Sequence, residues 1–281
     1  MTKRLAYFGP PGTNAEEAAI KYSAISGGDY TLIPFPTITS VGVAVETGAA
    51  DEAVMPIENT LEGAVTETQD FLIHAAKPVH IWNEIVMLIE HQLIVPPGLK
   101  AEQVQVITSI PVALAQVRGF IERSFPNARI EAALSTAAAV EGVMKRGDAA
   151  AVGNKRAAEL YGAEILTSGI QDHSPNHTRF VIVAAEDHPP TGDDNTSTAF
   201  EFANEDRPGQ LVGALREFSD RSINLYKIES RPSKVRLGTY IFLAGLGGHR
   251  TDAPLAEALA AVEKECVWFR ILGSYPRYRG G

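Results

Sequence analysis

Between Ala185 and Thr196 the chain reads AEDHPPTGDDNT, a stretch with a Pro-Pro pair, a glycine and several acidic residues but no apolar period. Such composition suits a linker rather than a packed element. The rhythm differs on its two sides. Upstream, Leu5–Phe8, Ala53–Ile57, Val86–Val95 and Ala149–Val152 read as strands, and Ala15–Ser23 and Ser135–Lys145 as helices, with Ser135 as an N-cap. That alternation predicts an α/β domain with a largely parallel sheet. Downstream, Thr198–Phe202 reads as a strand, and Pro208–Ser219 as a helix with Leu211, Leu215 and Phe218 at helical spacing. Strands at Ile223–Ser230 and Thr239–Leu246 flank the turn-rich RPSKVRLG, and a helix at Pro254–Glu265 and a strand at Val267–Leu272 follow. The order is βαββαβ, a ferredoxin-like sandwich.

Charge and cysteine content narrow what such a chain can do. With 25 Lys and Arg against 34 Asp and Glu, the net charge of −9 argues against a nucleic-acid footprint. It leaves room for a small anion in a locally positive cleft. A single cysteine, Cys266, allows no intrachain disulfide and no Cys-rich metal site. The opening MTKRLAYFGPPG reaches its glycines and prolines before a signal-peptide apolar run can form. No apolar stretch is long enough to span a membrane. The expectation is a cytoplasmic protein that acts on or binds something small.

In α/β domains ligands bind at the carboxyl ends of strands, near helix N-termini. Four segments have that arrangement. Gly9–Asn14 (GPPGTN) follows the first strand and lets backbone N–H groups face an anion, or serves as a plain strand-helix turn. It lacks the lysine of a phosphate-binding loop. Pro56–Thr60 (PIENT) puts Glu58 and Asn59 at the end of a buried strand, as capping partners or as site residues. Ser135 and Thr136 open a helix. Asn176–Phe180 (NHTRF) enters the strand Phe180–Ala184, and alternation sends Thr178 and Arg179 to opposite faces if the strand has begun there.

Taken in order, GPPGTN, PIENTLEG at Pro56–Gly63, STAAAV at Ser135–Val140 and NHTRF make the chain resemble prephenate dehydratases. After the linker, GALREF at Gly213–Phe218 and IESRP at Ile228–Pro232 resemble the regulatory ACT domain of that family, and LGSYPR at Leu272–Arg277 also fits. The resemblance runs from about Lys3 to Arg277 and implies decarboxylating dehydration of prephenate to phenylpyruvate in phenylalanine synthesis. It implies a catalytic domain over 1–184 with two lobes of the periplasmic-binding-protein type, 1–77 with 168–184 and 78–167. A linker over 185–196 and the ACT domain over 197–281 complete the plan. No chorismate-mutase bundle precedes Lys3, so the monofunctional form is expected.

The same resemblance assigns roles. Thr178 is the principal catalytic residue, with Glu58 and Asn59 lining the site. Gln116 matches a family glutamine within a segment whose Ile110, Val112 and Val117 depart from the pattern. Prephenate is a dicarboxylate whose ring gains aromaticity on reaction, so no metal or other cofactor is expected. Thr13, Asn14, Ser135 and Thr136 would bind carboxylate at helix N-termini, and Arg179 would add a charged contact if it reaches the cleft. Thr178 would donate to the leaving hydroxyl. Glu58 is either the acid, with a pKa raised by burial, or an anchor for Asn59. In the second domain DRPGQL makes room for an effector. Gly213, Ala214, Leu215, Asn224, Leu225, Glu229, Ser230 and Arg231 match the region where the family binds phenylalanine between two ACT domains, which calls for a homodimer or homotetramer. Tyr226 and the lack of an Asp near Ala244–Gly245 depart from that pattern. Arogenate dehydratase and a non-catalytic metabolite sensor are the competing readings.

Overall fold

The computed structural model describes residues 2–77, 79–202, 207–235 and 238–280. The chain opens with β1 (Lys3–Phe8), α1 (Asn14–Ser26), β2 (Tyr30–Phe35), α2 (Ile38–Glu46), β3 (Glu52–Asn59), β4 (Gly63–Ala64), α3 (Thr66–His74) and β5 (His80–Leu88). It then crosses into β6 (Gln92–Val95), β7 (Val106–Ser109), α4 (Pro111–Gln116), α5 (Arg118–Ser124) and β8 (Arg129–Ala132). That part ends with α6 (Thr136–Val143), β9 (Ala149–Gly153), α7 (Lys155–Tyr161) and β10 (Glu164–Ser168). The chain returns as β11 (His177–Ala184) and continues through β12 (Asp194–Phe202), α8 (Gln210–Ser219), β13 (Leu225–Pro232), β14 (Tyr240–Gly247), α9 (Ala253–Glu263) and β15 (Cys266–Pro276).

These elements make three sheets. The first has the order β2-β1-β3-β11-β5 with β4 on β3, the second β10-β6-β9-β7-β8, and the third β13-β14-β12-β15. The expected largely parallel sheet is corrected to two mixed ones. In the first, β1 runs parallel to β2 and β3, but β11 lies antiparallel between β3 and β5. In the second, β7 is parallel to β8 and β9 while β6 is antiparallel to β9 and β10. The physical reason is the crossing itself, because a chain that leaves one lobe and later returns inserts its returning strand in the opposite sense.

The single strand expected over Val86–Val95 is likewise two. It breaks at Ile89–His91, where Ile89 N donates to Asn176 O at 2.7 Å and Ile170 N to His91 O at 3.0 Å. The outgoing and returning connections thus lie side by side between the lobes. β9 is buried along its whole length, as a small-residue strand covered on both faces must be.

The third sheet has the expected βαββαβ order. Asp206 of the DRPGQL turn and Arg236 and Leu237 of the RPSKVRLG turn lie outside the described residues. β12 starts earlier than expected, because buried Asp194 is held by Thr191 N at 2.8 Å and Gly192 N at 3.0 Å. Alternation along β12 explains how this sheet sits. Phe200 faces Phe218, Leu255 and Leu259 of α8 and α9, whereas Ala199 joins Leu243, Leu272, Ile81 and Val183 in the core of the first lobe. The first lobe is therefore the second apolar layer for the C-terminal sheet.

Candidate active site

A cavity of about 830 Å³ opens between the two lobes. Phe8, Pro34, Phe35 and Phe180 give it apolar walls, and among the described residues no charged side chain lines it. Its polar groups come from both lobes: Thr13, Asn14, Asn59 and Thr178 from the first, Ser135 and Thr136 from the second.

Two helices point their N-termini at this space. Thr13 caps α1 by accepting from Glu16 N at 3.3 Å, and Ser135 caps α6 by accepting from Ala138 N at 2.9 Å. Each cap satisfies the third N–H of its helix, leaving those of Asn14 and Ala15, and of Thr136 and Ala137, without an intrahelical acceptor. Together with the helix dipoles these are neutral donors suited to a carboxylate. The lobes are pinned behind the cavity. Arg156 Nε lies 3.0 Å from Glu16 Oε2, and Asn154 Nδ2 donates to Asn14 Oδ1 at 2.9 Å. Gly12 takes φ +87° there, and a Cβ on it would lie 3.2 Å from the Ala137 side chain, so a larger residue would be strained in backbone and tight against α6.

Thr178 is buried to 9% exposure, and its Oγ1 accepts from Asn59 Nδ2 at 2.9 Å. The same nitrogen donates to Asn176 Oδ1 at 2.8 Å, while Asn59 Oδ1 accepts from Leu61 N at 2.9 Å and Glu62 N at 3.0 Å. Gln116 stands one bond further from the cavity. Its Oε1 accepts from Asn176 Nδ2 at 3.1 Å and lies 2.8 Å from His91 Nε2, and its Nε2 donates to Glu62 Oε1 at 2.8 Å. Burial lowers the His91 pKa, an effect partly opposed by the Gln116 hydrogen bond.

Two expected site residues face elsewhere. In the register Thr178 pairs with Asn59 and Arg179 with Glu58, so the second pair occupies the sheet face turned from the cleft. Arg179 Nη1 lies 3.0 Å from buried Glu84, and Glu58 sits between Arg179 Nε at 3.7 Å and Lys227 Nζ at 3.5 Å. Arg179 is thus no cleft cation. Glu58 is neither an acid in the cleft nor a partner of the Asn59 amide.

The expected effector residues divide as well. Gly213 lines a cavity of about 330 Å³ with Arg207, Gln210 and Glu217, where Gln210 Nε2 is buried without a hydrogen-bond partner among the described residues. Ala214 is buried on the inner face of α8 and Leu225 packs on the same core, while Leu215 is half-buried. Asn224 and Ser230 are exposed. Glu229 and Arg231, expected at a site between domains of two copies, are held by α3 of the same chain. Glu229 accepts from Gln69 Nε2 at 2.8 Å, and Arg231 reaches Gln69 Oε1 at 2.8 Å and Asp70 Oδ1 at 2.8 Å. The two departures noted in this domain belong together, because a Cβ on Gly245 would come within 2.5 Å of the Tyr226 ring.

Three further residues complete the site. His91 is a lone histidine beside an apolar run, and Asn176 and Glu62 stand inside motifs whose other members drew the functional argument.

The sequence model of the family described as prephenate dehydratase matches residues 5–188. The prephenate dehydratase of Mycobacterium sp. (strain JLS) is 40% identical over 283 residues, covering 97% of this chain and 89% of that protein. Among solved structures, the prephenate dehydratase from Arthrobacter aurescens in complex with L-Phe superposes with a TM-score of 0.88 at 32% identity, covering 98% of this chain and 90% of that one. GqqA, described as a novel type of quorum quenching acylase, superposes with a TM-score of 0.85 at 31% identity, covering 99% of each chain.

Proposed function

The chain belongs to the prephenate dehydratase family, and from that premise we propose that it converts prephenate to phenylpyruvate, carbon dioxide and water in the interlobe cleft. The observation that carries this reading is the Thr178 hydroxyl. Its oxygen accepts from Asn59, so its own hydrogen is available to a ligand in a cavity edged by two helix N-termini. The uncharged donors of α1 and α6 hold the two carboxylates. The apolar walls offer little solvation to the ring carboxylate, which leaves as neutral carbon dioxide. As that carbon–carbon bond breaks, its electron pair moves through the ring, which becomes aromatic, and the opposite carbon–oxygen bond breaks. Thr178 donates a hydrogen bond to the departing hydroxyl, which becomes water on taking up a proton from solvent. A well-placed donor of this kind contributes roughly 10²–10³ in rate.

The likeness to GqqA raises an acylase as a second activity, which the same geometry disfavours. A threonine nucleophile needs a neighbour that takes its proton. The Asn59 nitrogen beside Thr178 only donates, and among the described residues no titratable side chain lines the cavity.

In this reading the C-terminal domain binds phenylalanine or another aromatic amino acid and adjusts the rate, the cavity at Gly213 and Gln210 being the place for it. Its route to the cleft is short, since Lys227 of β13 touches Glu58, the neighbour of Asn59. The enzyme works in the cytoplasm as a homodimer or homotetramer, without nucleic-acid or membrane partners. The test is phenylpyruvate and carbon dioxide release from prephenate by the purified protein, with and without phenylalanine. Product formation that changes with phenylalanine supports both parts. Activity indifferent to phenylalanine removes the effector, and no product removes the reaction.

A further inference from the structure

The amide chain behind Thr178 has a direction that can be read from its two ends. At one end Asn59 Oδ1 accepts from two backbone N–H groups, those of Leu61 and Glu62, so its Nδ2 must face Asn176 and Thr178. At the other end the Glu62 carboxylate can only accept, so Gln116 must turn its Nε2 toward it. Gln116 Oε1 is then left facing Asn176 Nδ2 and His91 Nε2, and both must donate. His91 therefore carries a proton on Nε2, and its burial to 5% exposure, which lowers its pKa, disfavours a second proton on the ring.

The Glu62 end of this chain is exposed to water, whereas Asn176 at 1% and His91 at 5% exposure are not. The buried anchor is His91. Its backbone is clamped in the connection between lobes, with N donating to Gln171 Oε1 at 3.1 Å and O accepting from Ile170 N at 3.0 Å. We propose that His91 is a positioning residue of the dehydratase reaction: by donating from Nε2 to Gln116 Oε1 it holds the Gln116 and Asn176 amides in place against Asn59, whose Nδ2 fixes the Thr178 oxygen and leaves its O–H free to donate into the cleft. The inference rests on the proposed reaction, and it makes this histidine a donor that exchanges no proton with substrate. The amide chain also joins the lobes, because Gln116 belongs to the second while Asn59 and Thr178 belong to the first.

The test compares His91→Gln, whose side-chain amide can present a donor where Nε2 stands, with His91→Phe, which cannot. The parent protein is assayed first, so that failure of the reaction itself is seen separately. For His91→Phe, kcat falls on the order of tenfold, the worth of one lost buried hydrogen bond, with KM nearly unchanged. His91→Gln restores kcat to within about threefold of the parent. In a Thr178→Val background the His91→Phe penalty shrinks to less than about twofold, because the group it positions is gone. An equal penalty in both backgrounds, a loss confined to KM, or His91→Gln as impaired as His91→Phe overturns the proposal.

Discussion

Glu58 Oε1 lies 3.5 Å from Lys227 Nζ, so the strand that delivers Asn59 to the cleft is tied on its other face to the C-terminal domain. Arg179, the neighbour of Thr178, belongs to the same group through Glu58 and Glu84. Glu84 in turn accepts from Asn195 at 3.3 Å and Tyr278 N at 3.2 Å, both in the C-terminal part of the chain. The two cleft side chains and their two outward neighbours thus form one through-sheet unit.

Cutting this tie should separate regulation from catalysis. Lys227→Ala leaves Glu58 paired with Arg179, and a half-exposed ion pair is worth about 1 kcal/mol or less, so the fold and the unregulated rate stay near those of the parent. The response to phenylalanine weakens. Initial rates across a phenylalanine titration measure it, and an unchanged half-maximal concentration and amplitude would show that the signal takes another path.

Docking of the C-terminal sheet depends on Gly273. It takes φ +151°, and a Cβ would meet the Ile81 carbonyl oxygen at 2.4 Å and its nitrogen at 2.6 Å. Backbone on both sides cannot step aside. Gly273→Ala should destabilise by at least about 2 kcal/mol and open the segment after Ala184 to protease. Calorimetry and limited proteolysis check this, and a parental melting temperature would contradict the packing described.

Acid should loosen the protein before its carboxylates titrate. Burial lowers the pKa of both His91 and His80 from the ordinary 6.5. Each binds fewer protons folded than unfolded, so its stability contribution is complete above that value and is lost as pH falls through the folded one. Glu17, whose carboxyl burial raises, works in the opposite sense near the lower edge of this range. Melting temperatures between pH 7 and 5 should fall more for the parent than for His91→Gln, and parallel curves would remove His91 as a contributor.

Much of this was legible in the residues. The capping roles of Thr13 and Ser135 follow from their chemistry at helix starts. The opposed faces of Thr178 and Arg179 follow from strand alternation alone. Glu58 was not legible in the same way. Pro56 and Asn59 both line the cavity because β3 is irregular there, with Arg179 opposite Glu58 but Phe180 opposite Pro56. Simple alternation fails across that bulge, and it takes the register with β11 to place Glu58. His91 could not be found locally either, since its partner Gln116 stands 25 residues away along the chain. Glu229 and Arg231 carry the family's motif, yet their contacts to α3 depend on how the third sheet docks, which no local pattern encodes.

The central claim is that the Thr178 hydroxyl donates to the departing group. The most direct measurement is kcat for phenylpyruvate formation by Thr178→Ser and Thr178→Val beside the parent, with melting temperatures taken on the same samples. The account predicts that serine keeps turnover within about tenfold while valine loses roughly 10²–10³, with little change in melting temperature for either. Valine turning over at the parental rate, or losing activity only in proportion to lost fold, would contradict it.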